Sequence, residues 1–273
     1  MEARNRYFNQ AKENEQKGEL KVALANYKKS LQKDNRFFDG WLNAGVVFSK
    51  LEKPDKAVHC FKKAIDCKED ERAYYNLAAE LYKQDKFDTA ISALETSIQL
   101  NPRFIRSYLL AGYSFLRLSE AKKGLKCFNQ ALKIEPENIS IHIAIVMVLH
   151  DHFDLASATK FLDNAISIAP NHPALTKMKG IINLEEGKVV ESIEQYKKLA
   201  ASDAELENLS TLFSTQLDTD TKTKIVNKKT NLETKPVKTS KDFFDLSLMS
   251  ILQGEGELAM DYLLRVVEKP ELN

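Results

Sequence analysis

The chain has 273 residues, 43% hydrophobic and 29% charged, with 9 glycines and 7 prolines, a balance that favours helices over a turn-rich β fold. Forty basic residues stand against thirty-nine acidic ones, and the net charge of +1 creates no general demand for a polyanionic partner or an anionic membrane surface. The opening residues are charged from Glu2 onward, and nowhere is there a run of about 18 apolar residues, so the expectation is a cytoplasmic chain without direct membrane insertion.

Along the chain, one pattern recurs. A small residue is followed four later by a large apolar one, and three after that usually by another small one: Ala23, Tyr27, Ser30; Ala57, Phe61, Ala64; Ala90, Leu94, Ser97; Gly124, Phe128, Ala131; Ala158, Leu162, Ala165. Ser192, Tyr196 and Leu199 continue it with a large last member. The first members lie 34, 33, 34, 34 and 34 residues apart, and Pro102, Pro136 and Pro170 close three of the units at one fixed place. Apolar residues at three- and four-residue spacing give each unit two amphipathic helices. A unit this short cannot bury its own apolar faces, so its stability has to come from stacking on its neighbours.

Upstream of two of these triads stand Trp41, Leu42, Ala44, Gly45 and Phe48, and then Tyr108, Leu109, Ala111, Gly112 and Phe115. With the Ala-x3-Phe and Pro positions, this resembles the tetratricopeptide repeat. The resemblance implies an all-α fold, a right-handed α-solenoid of stacked antiparallel helix hairpins, with six repeats over residues 1–203. It also implies that the first helix of each hairpin lines a concave groove.

Beyond residue 203 the pattern weakens. Residues 204–215 read as a seventh-unit or capping helix, and residues 216–241, rich in Lys and Thr, as a basic flexible linker or eroded repeat. Residues 242–273 read as a C-terminal helical hairpin and degenerate repeat, because Ala259 stands 67 residues beyond Ser192, close to two periods.

The candidate partner-binding residues follow from the groove that the resemblance implies: Asn43, Arg72, Tyr75, Asn76, Tyr82, Arg106, Tyr113 and Met147. Asn43 and Asn76 occupy equivalent places, as do Arg72 and Arg106. A primary amide offers donor and acceptor together, Arg forks onto a carboxylate, and Tyr supplies rigid contact area. Tyr74, Leu77, Ala78 and Leu81 are assigned to the stack between repeats, and Ile143, Ala144, Met147, Met178, Ile181 and Leu184 to an apolar continuation of the groove. In the family's chaperone-binding members a clamp of Lys, Asn and Arg captures a C-terminal carboxylate. Here Phe8, Lys12 and Asn76 depart from that clamp.

The remaining chemistry is sparse. His150 and His152 are two apart and would point to different sides of a helix, and Cys60, Cys67 and Cys127 form no Cys-x-x-Cys, so neither metal nor cofactor is expected. No Gly-rich phosphate loop or nucleophile elbow is present in the sequence. The reading is a non-catalytic adaptor holding a peptide or helix of a protein partner. The alternative is a self-assembling structural subunit; nucleic acid is not expected, because the groove is apolar rather than uniformly basic.

Overall fold

The computed structural model describes residues 2–186, 188, 191, 195, 219–252 and 255–268, and they fall into two compact units, residues 1–153 and 154–273. Unit 1 contains α1 (Glu2–Gln16), α2 (Leu20–Lys33), α3 (Phe38–Lys50), α4 (Pro54–Cys67), α5 (Glu71–Lys83), α6 (Phe87–Leu100), α7 (Ile105–Arg117), α8 (Ala121–Ile134) and α9 (Ile139–His152). Each of α1/α2, α3/α4, α5/α6 and α7/α8 is a hairpin, and each packs on the next. The first helices α3, α5 and α7 also meet side by side. This is the expected α-solenoid of stacked helix hairpins.

The repeating triad builds its core. Ala23, Ala57, Ala90, Ala158, Tyr27, Phe61, Leu94, Phe128 and Leu162 are all buried, as are Ser30, Ala64, Ser97, Ala131 and Ala165. A small residue lets the two helices of a hairpin approach, and the large residue one turn later fills the contact. Full burial of such a side chain contributes roughly 1.5–3 kcal/mol. Where the last slot is Ser, its hydroxyl donates to a carbonyl near the start of the preceding helix, Ser30 to Arg4 at 3.0 Å and Ser97 to Glu71 at 2.8 Å. Glycine is required at 112, because a Cβ there would stand 2.6 Å from Cε1 of Phe128.

The turns repeat as faithfully as the cores. The residue before each of Pro102, Pro136 and Pro170 caps its helix in a non-helical conformation, with φ of −142° at Asn101, −128° at Glu135 and −135° at Ala169. Within the hairpins, Gly18, Glu52, Asp85 and Ser119 hold one equivalent place with φ of 75°, 54°, 57° and 61°, and only the first is glycine. The cation ending each of three first helices reaches back one repeat. Lys50 pairs with Glu15 at 2.8 Å, Lys83 donates to Ser49 at 2.8 Å and pairs with Glu80 at 2.7 Å, and Arg117 pairs with Asp85 at 2.9 Å. A cation at a helix C-terminus also complements the helix dipole. Glu80 is buried and additionally accepts from the Ser49 hydroxyl, so a charged residue sits inside the stack with both partners supplied.

Unit 2 contains α10 (Leu155–Ile168), α11 (Pro173–Glu185), α12 (Thr219–Glu233), α13 (Ser240–Leu252) and α14 (Gly256–Glu268). α10 packs on α11, with Lys179 paired to Asp163 at 2.6 Å. The C-terminal hairpin α13/α14 buries Phe243, Leu246, Met249, Ala259 and Leu263, the small-then-large spacing of the other hairpins. At its start Thr239 and Asp242 form a reciprocal cap: Asp242 accepts from the Thr239 backbone N–H at 2.7 Å, and the Thr239 hydroxyl accepts from Asp242 N–H at 3.2 Å.

Within residues 216–241, read from the sequence as a basic flexible linker or eroded repeat, stands helix α12 at 219–233, which packs on α13. Its lysines are not all solvated: Lys229 is buried and ion-paired to Glu255, and Lys228 pairs with Asp245 at 3.5 Å. Acidic residues of the C-terminal hairpin thus compensate a segment whose own composition offers little to bury. The candidate helix at 204–215 and the second half of the sixth repeat, including Ser192 and Tyr196, lie outside the described residues.

Candidate functional face

The first helices of unit 1 carry most of the candidate residues, and the structure sorts them by what already occupies them. Asn43 on α3 is half-buried and donates its amide to the Asp39 carbonyl of its own helix at 2.7 Å. Asn76, at the equivalent place on α5, is also half-buried.

Arg72 and Arg106 hold equivalent places and have different surroundings. Two residues before Arg72 stands Asp70, the N-cap of α5, which accepts from Arg72 Nε at 2.8 Å, from Nη2 at 3.0 Å and from its backbone N–H at 3.1 Å. These bonds, opposed by burial and assisted by Lys68, hold the Asp70 carboxyl well below the usual carboxylate range. Arg72 is thereby neutralised locally. Two residues before Arg106 stands Phe104 instead, and Arg106 is exposed with its guanidinium 5.7 Å from the centre of the Tyr75 ring. Among the described residues it forms no salt bridge, which leaves its charge uncompensated on this face.

Tyr75 is not simply a groove residue. It packs edge-on against Phe104 at 5.5 Å, joining the third hairpin to the fourth. One finds the same contact between the first hairpin and the second, where Phe8 meets Phe37 edge-on at 4.9 Å with the Arg4 guanidinium 4.2 Å from the Phe37 ring. Phe8 and Tyr75 hold equivalent places, as do Phe37 and Phe104. Both Tyr74 and Tyr75 also pack against the core of the third hairpin. Tyr75 therefore belongs to the stack and to the face at once, with its outer side covered by Arg106.

Tyr82 is half-buried and edge-on to Phe87 at 5.3 Å, whereas Tyr113 is 43% exposed and rests on Phe128 at 5.1 Å. Burial, with a smaller contribution from Tyr82, raises the pKa of the Tyr113 phenol, so that phenol stays a neutral donor at physiological pH. Met147 on α9 is 52% exposed. The apolar continuation around it is less open than its sequence suggests: Ala144 is buried and Ile143 half-buried, while in unit 2 Met178 and Ile181 are half-buried. Leu184 lies in α11, and its side chain is outside the described set.

Arg72, Tyr75, Arg106, Tyr82 and Tyr113 thus share neighbouring first helices, with Arg106 over Tyr75 as the most accessible charged feature. Asp70 and Phe104 were not among the candidates, because both stand just outside the helices whose faces the periodicity reads. Their place two residues before equivalent arginines was the available signal. Burial pushes the thiols of Cys60 and Cys127 up to about 11, as befits small apolar fillers. Among the described residues no group of three or more His, Cys, Asp and Glu is placed to hold a metal ion, and no helix is long and apolar enough to cross a membrane.

Comparison with known proteins agrees with this architecture. Family profiles described as tetratricopeptide repeat match residues 38–70, 71–104 and 105–138 in unbroken succession. The tetratricopeptide repeat-containing protein trd-1 of Caenorhabditis elegans is 24% identical over 141 residues, 51% of this chain and 18% of that protein. The chain spans less than a quarter of the length of the curated relatives it first matches. Among solved structures, pilF of Pseudomonas aeruginosa superposes with a TM-score of 0.62 at 18% identity, over 74% of this chain and 92% of that one. YrrB, described as a TPR protein with an unusual peptide-binding site, superposes with a TM-score of 0.53 at 24% identity, over 62% of this chain and 88% of that one. The buried triad, the hairpin order and three consecutive profile matches agree that residues 38–138 carry tetratricopeptide repeats.

Proposed function

We propose that the protein is a non-catalytic interaction scaffold that holds a peptide or helix of a partner protein on the first-helix face of unit 1. The observation that carries this reading is the uncompensated Arg106 guanidinium lying on Tyr75, with Tyr113 exposed on the same helix as Arg106. A guanidinium seated on an aromatic ring is pre-oriented for a carboxylate of the partner, and tyrosines add rigid apolar contact. Arg72 contributes shape rather than free charge, since Asp70 holds it. The tetratricopeptide repeats and the fold shared with a peptide-binding TPR protein support a scaffold role. In this reading the array extends to the C-terminal hairpin as a degenerate repeat, the chain works without cofactor, and Phe8 buttresses the stack instead of serving as part of a carboxylate clamp.

The test is capture of partner proteins from extract by the wild-type chain and by a variant carrying Tyr75→Ala and Arg106→Ala, with circular dichroism confirming that both fold. Loss of at least one captured partner is expected. Undiminished capture of every partner would place the site elsewhere.

A further inference from the structure

We infer that the groove between α2, α3 and α4 is a second docking site, built to take an acidic amphipathic helix of a partner protein. It lies on the second-helix side of the first two hairpins and does not rest on the reading of the first-helix face.

The groove has a volume of about 650 Å³ and an almost wholly apolar wall in which Leu24, Leu31, Trp41, Ala44 and Phe48 take part. It opens here for a reason written in the repeat. Its small residues Ala25 and Ala44 become the larger His59 and Leu77 at the equivalent places one repeat later. Trp41 is held by its indole N–H, which donates to the Asn35 carbonyl at 2.9 Å, so the ring is pre-positioned as part of the wall.

Charge identifies the occupant. α2 carries four lysines and no carboxylate, and α4 carries three lysines and two aspartates. Lys28 and Lys56, both exposed, line the groove opposite a single carboxylate, Asp55, and the Lys56 ammonium lies 5.9 Å from the centre of the Phe48 ring. An apolar trough edged by cations complements a helix with leucine-like residues on one face and Glu or Asp beside them. A small organic ligand would instead call for several convergent polar groups within the wall to fix its orientation. Here the polar groups lie mainly at the edge.

The chain contains one tryptophan, and it is Trp41, so its emission reports occupancy of this groove directly. The probe is a synthetic amphipathic helix with leucines at i, i+3, i+4 and i+7 and glutamates elsewhere, compared with the same peptide carrying lysines in place of the glutamates. A saturable change in Trp41 emission is expected with the Glu peptide. Binding should weaken by about tenfold for the Lys peptide, and by about tenfold in a variant carrying Lys28→Glu and Lys56→Glu, whose changes are exposed and leave the fold intact. Ala44→Leu, which copies Leu77, should close the groove and remove the response while circular dichroism shows a folded chain. Tyr75→Ala with Arg106→Ala should leave the response unchanged, which separates this site from the first-helix face. Equal binding of both peptides, an undiminished response in the charge-reversed variant, or a stronger response to anionic vesicles or RNA than to the Glu peptide would each overturn the inference.

Discussion

A steep steric demand lies where Gly112 meets Phe128, and Gly112→Ala tests it. A Cβ at this position would stand 2.6 Å from Cε1 and 2.7 Å from Cζ of a ring that is fully buried and covered on another side by Tyr113. The ring has no room to withdraw, so α7 and α8 must move apart. Overpacking of this kind costs about 1–3 kcal/mol, and replacing a mid-helix glycine by alanine returns about 1 kcal/mol of helix propensity. A net loss of up to about 2 kcal/mol is expected, which lowers the melting temperature of a chain of this size by up to roughly 8 °C. Thermal unfolding followed by circular dichroism measures it, with Gly256→Ala as the control, because a Cβ at Gly256 meets nothing within 4 Å. The control should melt at or slightly above wild type. Adding Phe128→Leu to Gly112→Ala should cost less than the sum of the two single changes, since the smaller side chain relieves the clash. A Gly112→Ala protein that melts at or above the wild-type temperature would refute the reasoning.

Two further outcomes follow from the turns and caps. Because the Asp70 carboxyl is held below its ordinary value of 3.8, its contribution to stability is present above that value and fades as the pH falls from there toward the depressed native value. Asp70→Asn keeps the capping acceptor and removes the charge, so wild type should exceed it in urea midpoint at about pH 6, with the gap closing below about pH 4; a gap that stays constant contradicts the assignment. Ser119 holds a left-handed conformation with φ of 61°, and Ser119→Gly should raise the melting temperature, because relief of about 1–2 kcal/mol of strain outweighs about 0.5–1 kcal/mol of added backbone entropy cost. A lower melting temperature would mean that the serine side chain contributes more than its backbone costs.

The solenoid was legible because helical period and small-residue spacing leave few alternatives: a triad such as Ala57, Phe61 and Ala64 is satisfied only by a close helix crossing, and all three are buried. Legibility failed where a residue's role depends on a neighbour outside its own helix. Tyr75 reads as a groove residue until Phe104, in the turn before α7, is seen against its edge. Arg72 reads as a free cation until Asp70 is seen beneath it. Composition left residues 219–233 open between linker and eroded repeat, because a lysine-rich segment can fold when another segment supplies carboxylates, as Glu255 does for Lys229. The groove beside Trp41 is encoded by smallness at Ala25 and Ala44, and patterns that seek large apolar residues pass over it.

The cations that end α3, α5 and α7 set how the stack yields under load. Each ties one hairpin to its predecessor, so each is a spring across a joint, and the springs differ in how far solvent reaches them. Arg117 and Asp85 are 53% and 69% exposed, whereas at the joint between the second and third hairpins Lys83 donates to the Ser49 hydroxyl, which itself donates to a Glu80 that is 4% exposed. At physiological ionic strength the screening length is about 8 Å, and added salt attenuates the exposed tie before the sheltered one. Bending therefore concentrates at the joint between the third and fourth hairpins as salt rises, while the joint between the second and third stays stiff. The ionic medium becomes a control on the curvature of a surface whose residues never change.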